Sequence, residues 1–112
     1  MSAIDRLTTV ELGEHYRRGT LSPVEVVEHS LARIAAWEPK INAMYRVAAD
    51  SARTAARESE SRWRAKSPLG PLDGVPITIK ENIATRGDPT PVGTAVNADV
   101  PPAAVDAPPA AR

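Results

Sequence analysis

Lys80 is the residue whose type and place suggest chemistry. It closes the apolar run Val75-Pro76-Ile77-Thr78-Ile79, and burial beside such a run would lower the pKa of an ammonium until a lysine can act as a base. The chain holds 11 arginines against 3 lysines, and arginine cannot take that part because its guanidinium stays protonated. The residues alone leave a second reading open, a lysine whose stem lines a strand end while its head reaches water. Other reagents are scarce. The seven serines, at positions 2, 22, 30, 51, 59, 61 and 67, fall in caps, helices or turns, and none has the Gly-Ser-Gly setting that exposes an activated hydroxyl. Cysteine is absent, which removes disulfides, thiolate metal sites and a thiol nucleophile, and two histidines cannot make a metal site alone. His29, expected opposite the apolar stripe of its helix, and His15, beside Leu12 and Tyr16, read as surface or boundary residues. Phosphate chemistry lacks its loop, since no G-x-G-x-x-G precedes the lysine and Gly70 to Gly74 is not a P-loop. Neither a cofactor nor a metal is expected.

The elements that must position Lys80 follow from local signals. Thr8-Thr9-Val10-Glu11 fits a capping box and Gly19 a left-handed stop, which predicts a helix over about 9–18. Ser22-Pro23-Val24-Glu25 repeats the box with proline at the first helical position. Val24, Val27, Leu31, Ile34 and Ala35 then form one stripe until Pro39, which is expected to end the helix. Ile41, Ala43, Tyr45 and Val47 alternate with polar or flexible residues, as in a short, half-buried strand. From Asp50 to Lys66 the helical pattern returns, with Ala52, Ala55, Ala56, Ser59 and Trp63 on one face and Glu58/Arg62 and Glu60/Arg64 spaced as i,i+4 pairs. Residues 67–74 carry turn chemistry, Val75 to Lys80 reads as a strand with Pro76 at its entry, and a loop follows to about Gly93. The last 18 residues hold four prolines and seven alanines and are expected as an extended tail. Three segments result: 1–66, helices with one extended stretch; 67–94, turn, strand and loop; and 95–112, tail.

The 14 basic and 14 acidic residues cancel, which removes the electrostatic case for a nucleic-acid or anionic-membrane partner. Arg53, Arg57, Arg62, Arg64 and Lys66 beside Trp63 are interrupted by Asp50, Glu58 and Glu60 and read as a solvated helix face. With no run of about 18 apolar residues and no leader-like N-terminus, a soluble, cytoplasmic chain is expected. The core is thin: of the 42% hydrophobic residues 19 are alanine, phenylalanine is absent, and Leu, Ile and Val total 22 of 112. One convincing strand and one doubtful one cannot form a sheet for three helices to cover. The fold class expected is therefore α/β, the N-terminal piece of a large mixed twisted sheet covered by helices, whose other strands come from a second chain or a longer product.

Gly70-Pro71-Leu72-Asp73-Gly74-Val75-Pro76-Ile77-Thr78-Ile79-Lys80-Glu81-Asn82, followed by Gly87-Asp88-Pro89-Thr90-Pro91-Val92-Gly93, resembles the G-P-L-x-G-V-P-x-x-x-K-[DE]-N and G-x-P-T-x-x-G runs of the amidase signature family. Leu21-Ser22-Pro23-Val24-Glu25-Val26-Val27, Ala32-Arg33-Ile34, Ile41-Asn42-Ala43 and Val105-Asp106-Ala107-Pro108 extend the resemblance over nearly the whole chain. It implies an amide hydrolase with a Ser, cis-Ser, Lys triad in which Lys80 aligns with the catalytic lysine. That lysine draws a proton from the nucleophilic serine through the bridging serine. The family's glycine- and serine-rich signature does not occur in these 112 residues, so the resemblance implies a chain with one triad member of three, inactive alone. Asp88 is a smaller departure, at a site usually small or apolar. The partners implied are the C-terminal remainder of the same amidase and a small-molecule amide, with a homo-oligomer allowed. The A subunit of a glutamyl- or aspartyl-tRNA amidotransferase is the alternative within the family, and a non-catalytic helical module the alternative outside it.

Overall fold

Both capping boxes form. Thr8 accepts the Glu11 amide and the Glu11 carboxylate accepts the Thr8 amide at 2.7 Å, which starts helix α1 at Thr9 and leaves it to run to Arg18. Gly19, at φ 68°, stops it. Ser22 and Glu25 do the same for α2, Pro23–Ile41. This helix runs two residues past Pro39, where the sequence pattern places its end. Proline withholds only its own N–H, and the next turn still closes through the Asn42 amide, 2.8 Å from the Glu38 carbonyl, before Asn42 turns left-handed at φ 46°. Helix α3 spans Ala49–Arg64.

The structure, a computed structural model, describes residues 2–112, and these fall into two compact units divided between Pro76 and Ile77. In the first, α3 packs on α2 and more lightly on α1. Small residues permit this, because Ala56 and Ser59 are the buried positions of α3. The buried stripe of α2 is turned toward Pro23, Val26 and Val27; Val24, Leu31 and Ile34 are half-buried and Ala35 is exposed. Leu12, Tyr16 and Val26 form the core, with Ile4, Leu7, Leu21, Trp63 and Val75 packed against it. The Tyr16 and Trp63 rings meet at 5.9 Å, tilted by 56°. Arg53 bonds Glu28 through Nε at 2.7 Å and ties α3 to α2, while Asp5, in the single turn Ile4–Arg6, bonds His29 at 2.7 Å.

Among the described residues no named strand forms. Residues 42–48, read from the sequence as half-buried, are irregular, and Tyr45 and Val47 are exposed. Residues 75–80 form no ladder, the amides of 77–80 make no backbone hydrogen bond, and Ile77 is 76% exposed. A lone strand has nothing to pair with. The second unit is held instead by turns: an isolated parallel bridge joins Arg86 and Ala103, and Ala107 donates to the Ala84 carbonyl at 2.9 Å. Within the segment expected as a tail, Ala95–Asn97 makes a 3-10 turn and Pro108–Ala111 a short helix, α4.

Candidate functional site

The segment before Lys80 is the most heavily bonded loop of the first unit. Asp73, its side chain only 3% exposed, accepts two parallel bonds from Arg62 of α3, Nε to Oδ2 at 2.8 Å and Nη2 to Oδ1 at 2.7 Å. The Leu69 amide adds a third at 3.0 Å. The Arg62 guanidinium, opposed in part by burial, holds the Asp73 carboxyl well below the usual carboxylate range. Two aromatic donors secure the backbone beside it: Trp63 Nε1 reaches the Asp73 carbonyl at 3.0 Å and the Tyr16 hydroxyl reaches the Gly74 carbonyl at 3.1 Å. Burial pushes the Tyr16 phenol up to about 12, so it stays a donor. Turn bonds from Asp73 N to Gly70 O and from Val75 N to Leu72 O complete the loop.

Two glycines admit this packing. A Cβ at Gly74, where φ is 87°, would meet Ser59 Oγ at 2.6 Å and Pro23 Cγ at 2.8 Å, and one at Gly13 of α1 would meet the Pro71 carbonyl at 3.2 Å. Ser59 Oγ is fully buried and has no hydrogen-bond partner among the described residues, though it lies near enough to Asp73 to favour the carboxylate. The expected Glu58/Arg62 pair gives way to the Asp73 bond, whereas Arg64 and Glu60 do pair at 3.2 Å.

Lys80 is exposed and its side chain makes no ion pair among the described residues; its carbonyl accepts the Ile83 amide at 3.0 Å. Its neighbour Glu81 reaches across the following loop to the Gly93 amide at 3.0 Å, which closes that loop within the second unit. Gly87 and Gly93 supply the left-handed turns. Asp88 accepts from Thr85 at 3.0 Å, and Asp106 accepts the Arg86 amide at 2.7 Å. Sequence reasoning does not single out Arg62, Asp73, Trp63, Tyr16 or Glu81. An acid inside a turn with an arginine 11 residues upstream carries no periodic signal, and only the fold joins them.

Among the described residues no group of three or more His, Cys, Asp or Glu could hold a metal ion, and no helix is long and apolar enough to cross a membrane. The family model described as Amidase matches residues 25–109. The A subunit of the glutamyl-tRNA(Gln) amidotransferase of Salinispora tropica is 38% identical over 99 residues, covering 88% of this chain and 20% of that protein. Its counterpart from Acidothermus cellulolyticus is 43% identical over 96 residues, 86% of this chain and 19% of that protein. A solved chain from a vestigial protein complex that reveals the evolutionary origins of an s-triazine catabolic enzyme superposes with a TM-score of 0.84 at 34% identity, covering 90% of this chain and 22% of that chain. The chain thus spans about a fifth of the length of the curated relatives it matches. Its fold corresponds to part of a larger one, and with the family match running through both glycine-bearing motifs and Lys80 itself, the chain belongs to the amidase family.

Proposed function

We propose that this chain supplies the lysine of an amide-hydrolysing enzyme that works through a Ser, cis-Ser, Lys triad, with both serines contributed by residues outside these 112. The observation that carries the reading is the family match, which runs across Lys80 inside an unbroken Gly70-to-Asn82 motif. In that setting residues 77–80, whose amides make no backbone hydrogen bond among the described residues, take their place in a mixed sheet, and Lys80 leaves water for a site beside the bridging serine. A neutral lysine amine accepts the proton that the bridging serine passes on from the nucleophile. The nucleophile's oxygen attacks the amide carbonyl, and the same path returns the proton to the departing amine. Water then cleaves the acyl-enzyme and restores the serine. Linear carboxamides are the substrates proposed.

The relatives, A subunits of glutamyl-tRNA(Gln) amidotransferases, favour the amidotransferase alternative within the family, which the resemblance implies to hydrolyse glutamine and pass ammonia to a partner subunit. Glutamine hydrolysis by the complete protein, stimulated by a co-purifying partner, would support that form; hydrolysis of simple carboxamides without one would support a free-standing amidase. The triad itself is tested by Lys80→Ala and Lys80→Arg in the complete protein. Both variants should fold and lose about 10²- to 10⁴-fold in turnover, with no rescue by arginine, because a guanidinium cannot give up its proton. Wild-type turnover in Lys80→Arg would remove Lys80 from the chemistry.

A further inference from the structure

We propose that the Arg62–Asp73 pair, with Trp63 and Tyr16, is a register pin: these positioning residues fix where the run toward Lys80 begins and so decide where along a sheet the lysine stands. The inference rests on the reading of Lys80 as the proton relay. The carboxylate is almost fully buried and meets three donors, and the two successive carbonyls at 73 and 74 are each taken by an aromatic donor from a different helix. A surface turn needs nothing of the kind. Immediately beyond Val75 the restraint stops, since the amides of 77–80 make no backbone hydrogen bond and Ile77 is largely exposed. Side chains alternate with a period of two in a ladder, so a slip of a single residue would send Lys80 to the opposite face of a sheet. A slip of one also exchanges Ile77 and Ile79 for Thr78 and Lys80, whereas a slip of two residues keeps the faces and meets no opposition within 77–80, because Ile77 and Ile79 share one face and are interchangeable; it would carry Lys80 about 7 Å along the sheet. Register must be imposed from outside the run, and the anchored turn is the fixed point on its N-terminal side.

The pin is tested in the complete protein with Asp73→Asn, which keeps the side chain's size and removes the charge facing Arg62. Among the described residues Arg62 is the cation facing Asp73, and Glu58 is the acid that acts on Arg62 from the turn before it. Turnover per folded molecule should fall by about 10²-fold or more, toward the loss expected when the general base itself is removed, with KM little changed. The rising limb of the kcat/KM profile should also move to higher pH, because a lysine displaced toward water regains its ordinary basicity. Trp63→Phe and Tyr16→Phe each delete one bond to the turn while keeping an aromatic ring, and should shift the same limb in the same direction by less. They decide the matter if Asp73→Asn does not fold. A purely structural pair would lower the folded fraction and leave both the limb and the turnover per folded molecule where they were, and that result overturns the proposal. Lys80→Arg, run alongside, separates the two ideas: if it is inactive while the pin variants keep the wild-type limb, the lysine reading stands and the pin falls; if it is active, the lysine reading falls.

Discussion

A methyl group at position 74 would lie 2.6 Å from the Ser59 hydroxyl and 2.8 Å from the Pro23 ring, on a backbone whose φ of 87° already disfavours any side chain. Gly74→Ala should therefore destabilise the complete protein by about 1 to 3 kcal/mol, read from denaturant midpoints, and an unchanged midpoint would contradict the packing described. Ser59→Ala should go the other way. Its hydroxyl is buried without a partner among the described residues, so removing it is expected to be neutral or stabilising by up to about 1 kcal/mol. Asp73 makes stability depend on acid. Its folded-state pKa lies below the unfolded value of about 3.9, so the stabilisation is complete above that value and drains away as pH falls toward the folded pKa. Asp73→Asn should flatten the acid limb of stability measured between neutrality and about pH 2.5, and parallel curves would assign that limb to other carboxylates. At this scale the sequence is legible where a residue's context is local. Lys80 stands out because it closes the apolar run that begins at Val75, whereas Asp73 looks like ordinary turn polarity, since its partner lies 11 residues away on a helix face that spacing alone would give to Glu58.

Helices declare themselves through neighbours three and four residues apart, which is why Thr8/Glu11 and Ser22/Glu25 can be read from the sequence alone and why α1 has the predicted limits. Thr8→Ala or Ser22→Ala should each cost about 1 kcal/mol, and a cost near zero would mean that the observed caps are energetically idle. Where pattern and fold differ, the deciding partner is not local. Pro39 looks like a stop, yet the Glu38 carbonyl and a left-handed Asn42 carry α2 to Ile41. The apolar stripe of α2 misses Val26 because the surfaces that bury this helix belong to other segments of the chain. Strands are harder still, because half of every ladder bond belongs to another segment. Amide exchange tests this directly: residues 77–80 should exchange freely in the isolated chain and be protected in the complete protein. Protection in the isolated chain would show pairing that the structure lacks.

Taken whole, the molecule buries little. Its core is Leu12, Tyr16 and Val26 with a half-buried surround, while Leu69, Leu72, Ile77, Val92, Val96 and Val105 are all more than half exposed. Ordering each residue costs roughly 1 to 2 kcal/mol of backbone entropy, and such a core offsets that poorly. Residues 1–112 produced alone are expected to melt broadly, without the single sharp transition of a two-state domain, and a sharp transition by calorimetry would refute this. The thin core is legible in composition; the division at Pro76 is not, because the bonds that end the first unit join residues far apart in the chain. Those separations also set the entropic cost of closing each bond. The Arg62–Asp73 bond closes a span of 11 residues and the Tyr16–Gly74 bond a span of 58, and short loops close at a smaller entropic cost than long ones. On a chain leaving the ribosome N-terminus first, both bonds wait for residues 73 and 74, and the charged pair, with the shorter span, is expected to close at the smaller entropic cost. The ion pair thus closes the loop locally, and the Tyr16 hydroxyl ties that same loop to the far end of the chain.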